Sequence, residues 1–299
     1  MTSILFPHFV EKNVTVAGDS GGHIRLRIDA RSGGPPLLLL HGHPQTHAIW
    51  HLTAPELAKR FTVVAADLRG YGDSLKPDGL PDHSNYAKRT MAADQVAVME
   101  ALGFTQFAVV AHDRGARVAH RMALDHPQRV TKLVTLDIAP TLAMYEQTTM
   151  AFAQAYWHWF FLIQPKPLPE TMLDRDPEFY LRSVMARGPD GLAKFAPAAF
   201  AEYLRCAKLP NAMHGTCEDY RAAATIDLEH DRVDRAAGRK IACPLLALWG
   251  AQGVIEKCFK PLDIWREYAT DVRGNALPCG HYIPEEAPQA LLSSLSSFL

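Results

Sequence analysis

Short apolar runs alternate with helical segments along most of this chain. The runs are rich in leucine and β-branched residues, and each is followed by a polar or glycine-containing turn. They predict strands at residues 36–40, 62–66, 107–111, 132–136 and 244–249. Residues 23–29 predict a further strand, antiparallel and at an edge of the sheet. The alternation predicts an α/β fold whose mostly parallel central sheet is flanked by helices on both faces.

Residues 142–230 break this alternation, because they contain several helical segments. Among these, Asp176 and Pro177 have the residue types favoured at the N-cap and first turn of a helix. We therefore predict a helical cap between the sixth and seventh strands, lying over the catalytic edge of the sheet. The predicted domains are a core formed by 1–141 and 231–299, and a cap formed by 142–230.

Composition and charge narrow the class of protein. Hydrophobic residues make up 48% of the 299 positions and charged residues 21%, which is typical of a soluble globular protein. The formal net charge is −1 and no basic tract is present, so we expect a small-molecule partner rather than nucleic acid or a membrane. Five scattered cysteines lack metal-ligand spacing, so we expect free thiols and no metal site. Without a signal-peptide pattern or an apolar run of transmembrane length, we expect a cytoplasmic protein.

The most informative segment is the turn at Asp113. An apolar run precedes it, small residues surround it, and a helical pattern follows. This arrangement resembles the nucleophile elbow of the α/β-hydrolases, in which the usual nucleophile is serine. An aspartate at that position attacks a saturated carbon with its own carboxylate and becomes an ester. The structural alternative is that Asp113 only caps the following helix.

Two further residues complete a candidate triad. In α/β-hydrolases the triad runs nucleophile, acid, histidine in chain order. His281 lies on a glycine-containing loop near the C-terminus, and Asp137 directly follows the strand at 132–136. The turn after 244–249, where many relatives carry the acid, has no acid until Glu256. We therefore predict Asp137 as the acid and keep Glu256 as a reserve.

Two arginines and two backbone amides surround the same turn. The oxyanion hole of such folds uses the amide after the nucleophile and one from the loop after the third strand, here Arg114 and His43. Arg114 and Arg117 lie three apart on the predicted helix, so they share a face that suits a small anionic substrate. The alternative is that both arginines form ordinary ion pairs.

With these residues the chain resembles the fluoroacetate dehalogenases, the haloacetate-hydrolysing branch of the α/β-hydrolases. The resemblance spans nearly the whole length. It is carried by His41-Gly42-His43-Pro44-Gln45, residues 67–74, the elbow at 113–117, the pair His158-Trp159, Tyr220 and residues 280–286.

The resemblance implies a role for each of these residues. Arg114 and Arg117 would bind the substrate carboxylate, and His281, oriented by Asp137, would activate the water that hydrolyses the Asp113 ester to glycolate. The departing halide would accept hydrogen bonds from His158, Trp159 and Tyr220. Unaided by the resemblance, these last three residues would be interpreted as part of a packed aromatic core, because aromatic residues on a cap helix more often pack than bind ligands. The resemblance also implies a cofactor-free enzyme and a possible homodimer.

One position departs from the expected pattern. Relatives of this branch are expected to have phenylalanine where this chain has His43, so the preference for fluoride over chloride is left open. The alternatives are a dehalogenase that prefers chloro- or bromoacetate and an epoxide hydrolase. A third, of a different class, is a non-catalytic ligand receptor with the same fold. Such receptors often lack a triad member, whereas all three positions are filled here.

Overall fold

A computed structural model describes residues 5–16, 22–188 and 190–299. The first four residues, on which the expectation of no signal peptide partly rests, lie outside this range. The described residues form one sheet of eight strands in the order β1-β2-β4-β3-β5-β6-β7-β8. The strands are β1 Val10–Thr15, β2 His23–Asp29, β3 Pro36–Leu40, β4 Thr62–Ala66, β5 Phe107–His112, β6 Val130–Leu136, β7 Leu245–Gly250 and β8 Val272–Leu277.

The pairing of the strands confirms the predicted mostly parallel sheet. Strands β3 to β8 pair in parallel, and β1 and β2 are antiparallel to their neighbours. The antiparallel strand at 23–29 is present, but its predicted edge position is wrong because β1 pairs outside it. Sequence analysis missed β1 and β8, whose residues are mostly exposed or half-buried and so lack a continuous apolar run.

Fifteen α-helices lie within the described residues. They are α1 Ala54–Leu57, α2 Lys88–Ala101, α3 Asp113–Asp125, α4 Thr141–Glu146, α5 Met150–Ala155, α6 Trp157–Leu162, α7 Leu168–Arg175, α8 Pro177–Met185, α9 Pro197–Ala207, α10 Ala212–Ala224, α11 Ile226–Ala236, α12 Val254–Cys258, α13 Pro261–Tyr268, α14 Ile283–Glu286 and α15 Pro288–Phe298. None of the helices in the described ranges is long and apolar enough to cross a membrane.

The helices from α4 to α11 lie between β6 and β7, in the part of the chain predicted as the cap. The last of them, α11, continues to Ala236, beyond the predicted boundary at 230, and residue 189 within the predicted cap lies outside the described range. Asp176 caps α8 as predicted, since its side chain accepts a hydrogen bond from the amide of Phe179 at 2.9 Å.

Helices cover the central strands, so β4 and β7 are buried at every position. Strands buried on both faces have continuous apolar sequences rather than alternating ones. Because β5 and β6 pair in parallel, their carboxyl ends lie at the same edge of the sheet. Asp113 and Asp137 follow these two strand ends directly.

Candidate active site

Asp113 occupies a sharp turn between β5 and α3. Its φ is +43°, in the left-handed region that non-glycine residues rarely adopt. Two glycines leave room for the turn: a Cβ on Gly42 would lie 2.4 Å from the Cβ of Asp113, and one on Gly115 would lie 2.3 Å from the carbonyl oxygen of His41. The local sequence therefore folds into a strained elbow that presents the Asp113 carboxylate at the end of the sheet.

The two oxygens of Asp113 have different surroundings. Oδ1 accepts hydrogen bonds from the backbone amides of Arg114 at 2.6 Å and His43 at 3.2 Å. These are the two amides predicted as the oxyanion hole. Burial raises the pKa of Asp113, but attraction to His281 and Arg117 outweighs it and leaves the pKa at about 2. Asp113 is therefore an anion at neutral pH, with Oδ2 not engaged by these amides.

The structure brings Asp113, Asp137 and His281 together. Nδ1 of His281 donates to Oδ2 of Asp137 at 2.5 Å, and Nε2 lies 3.8 Å from Oδ2 of Asp113. The other oxygen of Asp137 accepts the amide of Gly250 at 2.9 Å. The last residue of β7 thus holds the acid that follows the neighbouring strand by a backbone hydrogen bond, and the turn after β7 supplies no acid before Glu256.

The reserve acid and a second histidine have other roles. Glu256 accepts a hydrogen bond from the indole of Trp249, so it is directed away from His281. His112, the last residue of β5, donates from Nε2 to the carbonyl oxygen of His281 at 2.8 Å. Burial lowers the pKa of His112 to about 3, so this ring stays neutral while it holds the loop of the triad histidine.

Arg114 forms the ion pair that sequence analysis kept as an alternative. Its Nε donates to Oδ2 of Asp219 at 2.7 Å and its Nη2 donates to Oδ1 at 2.9 Å. Lys88 also pairs with Asp219, and Tyr71 donates to it at 2.7 Å. Although burial opposes ionisation, Arg114 and Lys88 keep the pKa of Asp219 below its ordinary value. Only Nη1 of Arg114 is left without a partner among the described residues.

Arg117 has a different environment. Its guanidinium donates to the carbonyl oxygen of Ala139 at 3.1 Å, the hydroxyl of Thr141 at 3.0 Å and the sulfur of Met144 at 3.2 Å. Within the described ranges its Nε has no partner, and none of its contacts is a carboxylate. Burial lowers the pKa of Arg117, and the proximity of Arg114 lowers it further. A buried guanidinium that contacts no carboxylate favours the binding of an anion.

The three aromatic residues predicted as halide donors pack against these arginines. Arg114 lies over the ring of Tyr220, with its Cζ 4.1 Å from the centroid, and Arg117 lies over Trp159 at 4.7 Å. His158 is in edge contact with Tyr220 at 5.9 Å. The Nε1 of Trp159 and the hydroxyl of Tyr220 are buried without a hydrogen-bond partner in the part of the chain described.

The side chain of His43 lines the same region. Its Nε2 lies 2.9 Å from the hydroxyl of Tyr180, and its ring stacks on that of His158 at 5.9 Å and meets Tyr220 edge-on at 5.4 Å. Burial lowers the pKa of His43 to about 3, so the ring is neutral. The residue that departs from the expected phenylalanine therefore adds a polar group beside the aromatic donors.

The fold and the arrangement at its edge agree with comparisons to known proteins. A family profile described as alpha/beta hydrolase fold matches residues 35–288. The chain belongs to the α/β-hydrolase family. Fluoroacetate dehalogenase of Burkholderia sp. is 44% identical to this hydrolase over 279 residues, covering 93% of this chain and 91% of that protein. The resemblance expected from the sequence is therefore confirmed.

Two other proteins are similar over nearly the full length of this hydrolase. A soluble epoxide hydrolase of Corynebacterium sp. (strain C12) is 32% identical over 278 residues, covering 92% of this chain and 93% of that protein. The solved structure of ALR0039 from Nostoc sp. PCC 7120, described as an α/β hydrolase, has a TM-score of 0.94 and 55% identity over 98% of both chains.

Sequence analysis missed three residues of this α/β hydrolase that hold its site residues in place. They are Asp219 beside Arg114, His112 beside His281, and Arg187, whose Nη2 lies 3.0 Å from Nδ1 of His158. No spacing rule links these pairs. Asp219 of the cap meets Arg114 of the core across 105 positions, and Arg187, which follows α8, meets His158 of α6 across 29 positions. Only His112 could have been identified from the local sequence, because it directly precedes Asp113 at the elbow.

Proposed function

We propose that this hydrolase cleaves the carbon–halogen bond of haloacetates through an Asp113 ester, with fluoroacetate as the leading substrate. The observation that carries the proposal is the buried guanidinium of Arg117, which has no carboxylate partner among the described residues and lies over Trp159 beside Asp113. A small carboxylate would supply the missing anion. The 44% identity to a fluoroacetate dehalogenase supports the same substrate class.

The first half of the reaction is a displacement. The substrate carboxylate would accept hydrogen bonds from Nη1 of Arg114 and Nε of Arg117, both unpartnered within the described residues. Oδ2 of Asp113 then attacks the α-carbon, the new C–O bond forms as the carbon–halogen bond breaks, and the halide leaves with the bonding electrons. Donors placed where that charge develops lower the barrier. The indole of Trp159 and the hydroxyl of Tyr220 are buried donors of this kind.

The second half is ester hydrolysis. His281, oriented by Asp137, takes a proton from water, and the resulting hydroxide attacks the Cγ of Asp113. The charge that develops on Oδ1 is held by the amides of His43 and Arg114, which already donate to that atom. Collapse of the intermediate releases glycolate, which takes the proton from His281, and Asp113 returns to its carboxylate form after losing a proton to solvent.

Epoxide hydrolysis is the second candidate function. A relative named soluble epoxide hydrolase is 32% identical, and the unpartnered hydroxyl of Tyr220 resembles a donor to an epoxide oxygen. Two observations favour haloacetates instead. A neutral epoxide gives Arg117 no anion, and the polar ring of His158 occupies part of the same aromatic wall.

The test is halide release by the purified protein from fluoroacetate and from chloroacetate, with Asp113→Ala in parallel. We expect fluoride release by the wild type and its loss, by about four orders of magnitude, in the variant. Chloride without fluoride would keep the mechanism and refute fluoroacetate as the leading substrate. Release of neither halide, together with diol formation from an epoxide, would refute the proposal in favour of the second candidate.

A separate measurement addresses a non-catalytic receptor. Asp113→Asn removes the nucleophilic charge while preserving the shape of the side chain. If the protein is an enzyme, this variant loses turnover but is still stabilised against heat by chloroacetate, because Arg114 and Arg117 are unchanged. Thermal protection of the wild type with no turnover of any haloacetate or epoxide would favour the receptor.

A further inference from the structure

The proposed halide donor His158 is hydrogen-bonded by a residue from another part of the cap. Its Nδ1 lies 3.0 Å from Nη2 of Arg187, which follows α8. A guanidinium has five N–H donors and no acceptor. Nδ1 must therefore be the acceptor in this bond, and the hydrogen of the neutral imidazole must be on Nε2.

Neutrality of His158 follows from its surroundings. The side chain is buried, and burial lowers its pKa well below the ordinary value of a histidine; the positive charge of Arg187 lowers it further. The bond to Arg187 therefore selects between two neutral tautomers rather than between a neutral and a charged ring. Nε2 forms no hydrogen bond within the described residues, so its N–H remains available to a ligand.

Arg187 is itself held by contacts that leave its donors directed at His158. Its Cζ lies 5.2 Å from the ring centroid of Tyr156, and its carbonyl oxygen accepts a hydrogen bond from Lys194. Tyr156 in turn is in edge contact with His158 at 5.3 Å. The guanidinium thus lies against the aromatic wall of the site and has no contact with Asp113.

We infer that Arg187 is a positioning residue, which fixes His158 in the Nε2–H tautomer so that it donates to the departing halide. This inference rests on the proposed dehalogenase function. In the opposite tautomer Nε2 would present a lone pair to the halide, and a donor would become a repulsive acceptor. Fluoride accepts stronger hydrogen bonds than chloride, so the loss of one donor affects C–F cleavage more than C–Cl cleavage.

The experiment compares Arg187→Met with the wild type in the full-length protein. Removal of a single aimed donor costs about 100-fold to 1,000-fold in the rate of the charged step. We expect kcat for fluoroacetate to fall about tenfold or more, kcat for chloroacetate to fall about twofold to threefold, and KM to change little. The small change in KM is expected because Arg114 and Arg117 bind the carboxylate. Arg187→Lys, which keeps a cationic donor, should recover part of the lost fluoride release.

Two controls separate this role from a general structural one. Arg182→Met removes another cap arginine, which pairs with Glu178 at 2.8 Å and lies over Phe200; we expect an unchanged ratio of fluoride to chloride release. The second control repeats Arg187→Met in a His158→Ala background. If Arg187 acts only through His158, the double variant is no slower than His158→Ala alone.

A spectroscopic measurement tests the tautomer without reference to activity. The ¹⁵N spectrum of histidine-labelled protein distinguishes a protonated from an unprotonated ring nitrogen, and His158→Ala identifies the signals of His158. We expect protonated Nε2 and unprotonated Nδ1 in the wild type, and a mixture in Arg187→Met. A protonated Nδ1 in the wild type, an unchanged halide ratio in Arg187→Met, or an equal loss in both backgrounds would overturn the inference. Failure of the wild type to release any halide would refute the proposed function, and the spectrum would still decide the tautomer.

Discussion

The two sides of the candidate site differ in how completely their polar groups are partnered. At the edge of the sheet, both oxygens of Asp137 accept hydrogen bonds, and Oδ1 of Asp113 accepts two. On the side that we propose binds the substrate, Nε of Arg117, Nε1 of Trp159 and the hydroxyl of Tyr220 are buried without partners in the described residues. Buried polar groups are normally hydrogen-bonded, and exceptions require an explanation.

The difference indicates a division of labour. Under the proposed function, the partnered groups of the core are fixed by the fold and supply the ester-hydrolysing apparatus. The unpartnered groups are costly to bury and would be satisfied only by a bound ligand, so under the same proposal they select which ligand binds. Substitutions on the partnered side should therefore reduce turnover. Substitutions on the unpartnered side should instead change KM, the ratio of fluoride to chloride release, or Tm.

The largest effect is expected on the partnered side, from His281→Gln. Without a base the ester cannot be hydrolysed, whereas displacement by Asp113 does not need His281. We expect one equivalent of halide to be released rapidly, followed by turnover reduced by about four orders of magnitude. Intact-protein mass spectrometry should show the carboxymethyl ester on Asp113. Loss of the initial halide release would contradict the division of the two steps.

The next effect is expected from Arg117→Met on the unpartnered side. Removal of one carboxylate-binding cation should raise KM for haloacetates by about 100-fold, since charge-assisted hydrogen bonds are among the strong ones. Because no carboxylate bonds the buried Arg117 guanidinium directly among the described residues, its removal should leave Tm equal to or above that of the wild type. Substrate kinetics and thermal unfolding measure the two quantities. A lower Tm with unchanged KM would make Arg117 a structural residue.

A smaller effect is expected from Tyr220→Phe, which deletes only the unpartnered hydroxyl. Fluoride release should fall by about tenfold to 100-fold and chloride release by less, because the stronger acceptor loses more. Tyr268→Phe is a matched control, since Tyr268 is a buried tyrosine at the end of α13 whose ring packs edge-on against His120 of α3. Equal losses of fluoride and chloride release in Tyr220→Phe would argue against a halide contact.

His43→Phe tests the departure from the expected family pattern. Its Nδ1 is buried without a partner in the described part of the chain, and its ring stacks on His158. If His43 adds a donor to the halide side of the pocket, the phenylalanine variant should lose about threefold to tenfold in fluoride release relative to chloride release. Steady-state assays with fluoroacetate and chloroacetate measure this ratio. An improved ratio of fluoride to chloride release would instead show that the histidine weakens defluorination.

The smallest effect on activity is expected at the junction of core and cap. Glu285 is hydrogen-bonded to Gln45 at 2.5 Å and to Tyr203 of α9 at 3.0 Å, and burial raises its pKa from 4.5 to about 8. The protonated carboxyl makes its full contribution to the free energy of unfolding below pH 4.5. That contribution is lost as pH rises from 4.5 through 8, by at most about 1.4 kcal/mol per pH unit. Glu285→Gln stays neutral.

Its Tm should therefore rise relative to that of the wild type between pH 4.5 and 9. Thermal unfolding at several pH values measures the difference. A Tm difference that is constant over this range would contradict the raised pKa. Activity measured at pH 6 serves as the control for correct folding and should change little.

Two members of the candidate triad could be predicted from sequence because each follows a buried strand. Asp113 and Asp137 come directly after apolar runs, and parallel strands bring their carboxyl ends to one edge of a sheet. The elbow also needs small neighbours at fixed positions, which leaves a local pattern around Asp113. Strands β1 and β8 were not predicted, because their exposed positions interrupt the continuous apolar run that marks a buried strand.

The positions of His158, Trp159 and Tyr220 came only from the family resemblance, because aromatic residues on a cap helix have the same pattern whether they pack or bind. Their partners needed the tertiary structure. Asp219 meets Arg114 across 105 positions of the chain, and Arg187 meets His158 across 29. Sequence by itself determined the fold class and indicated a candidate nucleophile and acid, since these depend on local periodicity and strand ends. The candidate base was indicated by its glycine-containing loop near the C-terminus. Only the folded chain decided which buried donors and cations remain without partners, because that depends on long-range packing of the cap against the sheet.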